Sequence, residues 1–225
     1  MIDPTARIHA TADLADDVDI GSGTTVGPRT SIGHGTRIGR DGEIGGDVFI
    51  DDGVVVGDHV RIQHGAILYR GVTVADGVYI GAAAILTNDR RPRALDAGGE
   101  LAGAADFPVA PIHVSSGATI GAGAIVVAGS DVGPYAMVGA GAVVTHAVPG
   151  HAIVAGSPAV RIGWACTCGE RLLDSTGHPA PAERERYAID QELVCPACDR
   201  RYAYVRDEET LRELDRPVVS GGALA

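Results

Sequence analysis

The sequence predicts an all-β chain in which short strands and turns repeat along one axis, and three observations predict it. An aliphatic residue falls at every sixth position from Ile8 through Leu14, Ile20, Val26, Ile32, Ile38, Ile44, Ile50, Val56, Ile62, Leu68, Val74 and Ile80 to Leu86, and again from Val114 to Val144. Gly is abundant, at 32 of 225 residues, while aromatic residues make up 4%, so the core must come from many small repeated contacts. The rhythm breaks once, between Leu86 and Val114, over 28 positions. That interval is not a multiple of six, which marks an insertion leaving the repeat and not a degenerate repeat.

A period of six satisfies neither a continuous helix nor one long strand. It suits a short strand followed by a turn. In the hexad Ile32-Gly33-His34-Gly35-Thr36-Arg37 the first position is aliphatic, the second is often Gly, and the fifth is small or β-branched. Gly at second positions is expected to supply backbone angles that a Cβ would resist. Each unit buries its aliphatic residue only by stacking on the next coil. The repeat domain is therefore read over 1–163, with a loop at 87–113, and an excursion of that length from a stiff scaffold is more often functional than accidental.

From Trp164 the composition shifts. Cys166-Thr167-Cys168 and Cys195-Pro196-Ala197-Cys198 are two close cysteine pairs at the far end of the chain, a clustering that fits a metal better than a disulfide framework. Four thiolates on two knuckles suit tetrahedral zinc, so 164–205 is read as a zinc-ribbon-like module, with Cys166, Cys168, Cys195 and Cys198 holding a structural zinc. With all four ligands from the protein, no position is open for catalysis. Leu211 and Leu214 have helical spacing, so 206–225 is read as a short helix and a tail that frays from Val218.

The formal charge of −11 argues against nucleic acid or an anionic membrane as partner. Every basic side chain is Arg, with no Lys. That excludes Schiff-base chemistry and leaves Arg as the fixed cation for phosphates. The opening Met1-Ile-Asp-Pro-Thr lacks a basic region followed by an apolar core, and no run of about 18 apolar residues occurs, so neither a signal peptide nor a membrane span is expected. The cytoplasm is the expected compartment.

Several stretches are similar to a known family. The hexad pattern resembles the hexapeptide-repeat, left-handed parallel β-helix, whose coil is a triangular prism of three hexads. The segments Ile62-Gln-His-Gly-Ala-Ile-Leu-Tyr-Arg-Gly-Val72 and Val78 to Ala94 look like one branch of the hexapeptide acyltransferases. That branch acetylates amino groups on nucleotide-linked amino sugars with acetyl-CoA as donor. The resemblance covers roughly residues 5 to 172, and Thr87-Asn-Asp-x-x-Pro-Arg93 is its most specific motif. Ser116 to Ile125 and Gly156-Ser-Pro-Ala-Val-Arg-Ile-Gly163 are shared more widely among hexapeptide enzymes. His64 stands where many relatives carry Asn, and Arg70 where an acidic residue is common.

The resemblance implies a homotrimer with its sites in the clefts between prisms, binding CoA and a nucleotide sugar. The matching Asn in the family contacts the substrate amine, so that role falls to Asn88, which can orient the amine as an acceptor but cannot be a base. A histidine suits collection of the amine's proton, so His64 is a candidate base; the alternatives are a surface histidine, with the departing CoA thiolate taking the proton. Gln63, Asp89, Arg90 and Arg93 are candidate substrate contacts, the arginines for a diphosphate, and Arg93 could instead pair with Asp89. Ala122 and Ala140 lie in Ala/Gly-rich turns where a narrow pantetheine arm could lie against backbone amides. Arg161 is placed like the basic residue that meets CoA phosphates in relatives.

Two other readings compete. Val60-Arg-Ile-Gln-His-Gly-Ala66 vaguely resembles a coil of the β-helical carbonic anhydrases, whose zinc needs three histidines. His64 and His113 could contribute, but position 118 is Ala where a paired histidine is required. A non-catalytic β-helix platform would have a dispensable loop and no CoA affinity.

Overall fold

In the computed structural model of the chain, each hexad contributes a two-residue strand from the sixth position of one unit and the first of the next, as in Arg37–Ile38 and Arg61–Ile62. The structure describes residues 1–103, 108–180, 192–205 and 210–214. Successive strands fall in rotation on three parallel sheets, so residues eighteen positions apart pair: Ile44 with Ile62, and Ile62 with Ile80. The first face runs from Arg7–Ile8 to Val160–Trp164 through nine strands, the second from Asp13–Leu14 to Val143–Val144 through seven, and the third from Asp19–Ile20 to Ile112–Val114 through five. Together they form a parallel β-solenoid.

First and fifth positions point inward. Ile50, Ile62, Leu68, Ile80 and Leu86 are fully buried, as are Val54, Ala66 and Ala84 between them. Burying one such aliphatic side chain stabilises by about 1.5–3 kcal/mol, and the regular stack repeats that gain coil after coil. Where the fifth position is Thr, its hydroxyl is satisfied inside the wall: Thr24, Thr30 and Thr36 donate to the carbonyls of Gly39, Gly45 and Asp51 at 2.7, 2.7 and 3.0 Å.

The second-position glycines do a different job from the one expected. The left-handed backbone falls at the fourth position, at Gly23, Gly35, Gly65 and Gly123, and also at Arg29, Asp41, Asp47 and Ala83. Gly81 and Gly121 are required by close approach, because a Cβ there would lie 2.5 Å from the backbone nitrogen of Ala122 or Ala140 in the next coil.

The insertion sits in one coil. Leu86 pairs with Leu68, 18 positions back, and with Val126, 40 positions on, so this coil carries 22 extra residues. It ends earlier than the expected loop. Ile112 and His113 already belong to a strand on Val72–Val74, because Ile112 is completely buried against the core.

After the last coil, Val160–Trp164 turns back antiparallel on Ala152–Ala155 and leads into the cysteine region. There Glu192–Val194, Arg201–Val205 and Thr210–Glu213 form a three-stranded antiparallel sheet. The expected helix is therefore a strand over Thr210–Glu213: Leu211 is buried opposite Tyr204, and the edge of Arg201–Val205 supplies backbone hydrogen bonds that helical spacing alone could not outweigh. The rest of 206–225, apart from Leu214, lies outside the described residues. No helix among the described residues is long and apolar enough to cross a membrane.

Candidate active site

The corner between the first and second faces is built from third positions of hexads. In ascending order it presents Gly46, His64, Ala82, Ala122 and Ala140, one per coil. The ladder bonds run between fourth positions and the carbonyls below: Ala83 donates to His64, Gly123 to Ala82, and Gly141 to Ala122, at 2.8–2.9 Å. That geometry leaves the third-position N–H outside the ladder. At the other two corners a carboxylate caps some of these groups, as Asp52 does for His34, Asp58 for Arg40 and Asp76 for Asp58, at 2.7–2.9 Å, while those of Asp16, Ser22, Asp76 and Ser116 make no hydrogen bond among the described residues. At this corner the sequence has Ala where a capping Asp stands elsewhere. Among the described residues, the N–H groups of His64, Ala82, Ala122 and Ala140 make no hydrogen bond, and all four residues are exposed. A column of free amide donors flanked only by methyl groups therefore rises from His64.

His64 is held from below. Its Nε2 lies 3.2 Å from Oδ2 of Asp47, and Asp47 accepts from Arg29 Nε at 2.7 Å and from its terminal nitrogen at 2.5 Å. The Arg29 guanidinium holds the Asp47 carboxyl below the usual carboxylate range, so Asp47 stays ionised beside the imidazole. Nδ1 of His64 makes no hydrogen bond among the described residues. Sequence reasoning missed Asp47. Its signal was the spacing: Arg29 and Asp47 are eighteen positions apart, and His64 falls one short of the next step.

Asn88 lies at a different corner. It follows Leu86 on the second face, and Arg70 is its counterpart one coil below, since Tyr69 N–H bonds to Leu86 O. The residue stacked over His64 is Ala82, not Asn88. Within one chain, a full hexad of the second face, up to about 20 Å of extended chain, separates their columns.

The residues around Asn88 have structural tasks. The Thr87 hydroxyl accepts the Ala128 N–H at 2.9 Å, and Arg90 donates to the carbonyls of Ala128 and Gly129 at 2.7 and 3.1 Å. Asp89 accepts the Arg91 N–H at 2.7 Å. The Asn88 carbonyl accepts Ala110 N–H at 2.9 Å and closes the base of the loop. These contacts fix the backbone of a half-buried Asn88 whose side-chain amide makes no hydrogen bond among the described residues. Arg93 donates to Pro92 O and does not pair with Asp89. Gln63 is half-buried directly before His64. His113 pairs with Asp131 at 3.1 Å on the third face, away from the His64 corner of the same chain.

No protein-family profile matches the chain, and no curated protein does. Among solved structures it is similar to LpxA, a UDP-N-acetylglucosamine acyltransferase from Bacteroides fragilis, at 20% identity and a TM-score of 0.58 over 71% of this chain and 61% of that one. The chain has the hexapeptide β-solenoid fold. A mutant GDP-perosamine N-acetyl transferase from Caulobacter crescentus, in complex with CoA and GDP-perosamine, matches at 22% identity and a TM-score of 0.48, over 71% of this chain and 57% of its own. The acetyltransferase domain of PglB from Neisseria gonorrhoeae, in complex with acetyl coenzyme A, matches at 21% and 0.44, over 70% and 58%. The chain thus spans about three fifths of the length of these three structures.

Beyond the hexapeptide solenoid, Arg161 lies over the ring of Trp164, 4.5 Å from its centroid. The four cysteines converge. Their sulfur atoms all lie within 4.8 Å of one another, with Cys166–Cys198, Cys168–Cys195 and Cys168–Cys198 at 3.5, 3.6 and 3.7 Å. Zinc–sulfur bonds near ~2.3 Å in a regular tetrahedron put sulfurs about 3.8 Å apart, whereas a disulfide needs about 2.05 Å. The donor set and its spacing fit zinc. Burial pushes the Cys195 thiol up to about 12, and hydrogen bonding, first from the Arg200 N–H, draws Cys198 down to about 6; a bound zinc holds all four as thiolates.

Proposed function

We propose that the chain is an acetyl-CoA-dependent N-acetyltransferase acting on the amino group of a nucleotide-linked amino sugar. The observation that carries this reading is the column of uncapped amides at Ala82, Ala122 and Ala140 ending at His64. The amide carbonyls of a pantetheine arm are acceptors that such a column satisfies, and the arm's narrow width suits Cβ-only side chains. An arm lying there delivers its thioester to the imidazole.

The amine attacks the thioester carbonyl, the tetrahedral intermediate collapses, and the C–S bond breaks to give amide and CoA thiolate. His64 Nδ1 takes the amine's proton and returns it to the thiolate, so the cycle closes without net proton change. The negative charge of Asp47, 3.2 Å from Nε2, favours the proton on that nitrogen, the tautomer this requires. Asn88 accepts from the amine and aims its lone pair. Arg93, with Arg70 one coil below Asn88, supplies cations for the diphosphate. Arg161 is proposed to meet the CoA phosphates.

One copy cannot bring Asn88 to His64, but a cyclic trimer can. On the second face, between the two corners, the outward positions are Phe49, Ile67, Ile85, Ile125 and Val143. Three copies turning this apolar face toward a common axis place the His64 corner of each beside the Asn88 corner of the next. The four cysteines are proposed to hold a structural zinc.

The test is CoA affinity by calorimetry. Ala122→Glu puts a bulky carboxylate into the column at an exposed turn, and CoA binding should fall at least about 10-fold while the melting temperature is kept. Undiminished CoA binding by that variant would remove the column from the reading.

A further inference from the structure

The cysteine region is not a free appendage on the prism. Its first knuckle grows directly out of the Val160–Trp164 strand, and Trp164, Cys166, Leu172, Leu193, Cys195 and Tyr202 share one continuous core with the last coils. Two further links cross the junction. Ala165 N–H bonds to His151 O at 2.7 Å, and the Thr210 hydroxyl donates to Gly150 O at 3.1 Å.

The strongest link is aromatic. His151, at the last corner of the prism, stacks on Tyr135 at 5.3 Å between ring centroids and meets Tyr202 at 5.2 Å. Tyr202 is completely buried, and its hydroxyl lies 3.2 Å from Cys166 Sγ and accepts the Thr167 N–H at 3.1 Å. Tyr135 and His151 both stand at fourth positions with left-handed backbone, at φ 55° and 63°, like the other corners of the repeat. A path of touching groups therefore runs from the thiolates through Tyr202 and His151 into the last coil.

A solenoid needs such a device, because each coil buries its core only against a neighbour and the final coil has none above it. We propose that the Cys166–Cys168–Cys195–Cys198 site binds zinc as the clasp of a C-terminal lid, and that zinc binding sets the stability of the last prism coil through Tyr202 and His151.

This rests on the four cysteines and their packing, not on the acetyltransferase reading, and its test does not use activity. The full chain, purified without chelator, is assayed for zinc and followed by hydrogen exchange before and after removal of zinc with a chelator. One zinc per chain is expected. Its removal should speed exchange on the order of 10-fold or more in 164–180 and 192–205, and also at Ala136, Val138, Ala152 and Val154, while Ile62 and Ile80 stay protected. His151→Asn keeps a side chain tolerant of left-handed backbone but breaks the ring stack. In that variant zinc should still bind, and the last coil's exchange should no longer respond to its removal. Absence of zinc overturns the proposal, as does zinc loss that leaves Ala136 to Val154 unchanged, and so does an undiminished response in His151→Asn.

Discussion

At the scale of single residues, His64 and Asp47 make the sharpest claims. If Nδ1 of His64 takes the amine's proton, the rate must fall on the acid side as the imidazole becomes protonated, with a second loss from protonation of the sugar's own amine. Asp47 adds no limb of its own, because Arg29 keeps its carboxyl ionised well below that range. His64→Asn should lower kcat/KM by roughly 10²-fold and erase the histidine's limb, leaving the amine's. Asp47→Asn retains a residue suited to the left-handed backbone there, at φ 54°. It should lower kcat by roughly 10-fold with KM for acetyl-CoA unchanged, and long-range proton–nitrogen spectra should show His64 leaving the Nε2–H tautomer. A full rate with an unaltered pH profile in His64→Asn would hand the proton to the CoA thiolate. A normal His64→Asn effect beside an unchanged Asp47→Asn would reject only the positioning role.

At the scale of the hexad, two glycines in one turn separate two physical causes. Gly121 would set a Cβ 2.5 Å from Ala140 N, against rigid backbone of the next coil. Gly123 has φ +65° and open space around the position of a Cβ. Gly121→Ala should therefore cost about 3 kcal/mol or more by forcing coils apart, and Gly123→Ala only about 1–2 kcal/mol of backbone strain. Denaturant unfolding gives both numbers. Equal losses would mean that coil spacing is not set by the second position. The six-residue period shows in the sequence because inward positions can carry only aliphatic or small residues. Which glycine answers which constraint does not show, since close approach and left-handed backbone select the same residue. The strand at Thr210–Glu213 was hidden for a related reason: two leucines three apart suit a helix, and only the edge of Arg201–Val205 decides the matter.

At the scale of the molecule, the six-residue repeat, the presence of an insertion and the clustering of the cysteines were legible from spacing, because each is a pattern along the chain; the prism itself came from the resemblance, and the insertion's length of 22 residues from the pairing of Leu86. The proposed site was legible only in parts. His64 and Asn88 could be chosen by residue type and resemblance, but a prism has three corners, and spacing had to be counted coil by coil to see that they occupy different ones. Asp47 was passed over because its contact comes from one coil stacking on another, which only the eighteen-residue spacing from Arg29 marks in the sequence. The same geometry makes the central claim testable: each active site takes His64 from one copy and Asn88 from the next. His64→Asn and Asn88→Ala should each yield folded trimers, the latter at least about 10-fold less active. Co-expression of the two variants with different tags allows mixed trimers to be isolated. Isolated mixed trimers of either composition hold both residues intact at one of their three sites, so they should recover about a third of wild-type activity. Mixed trimers no more active than either parent would contradict a site shared between copies.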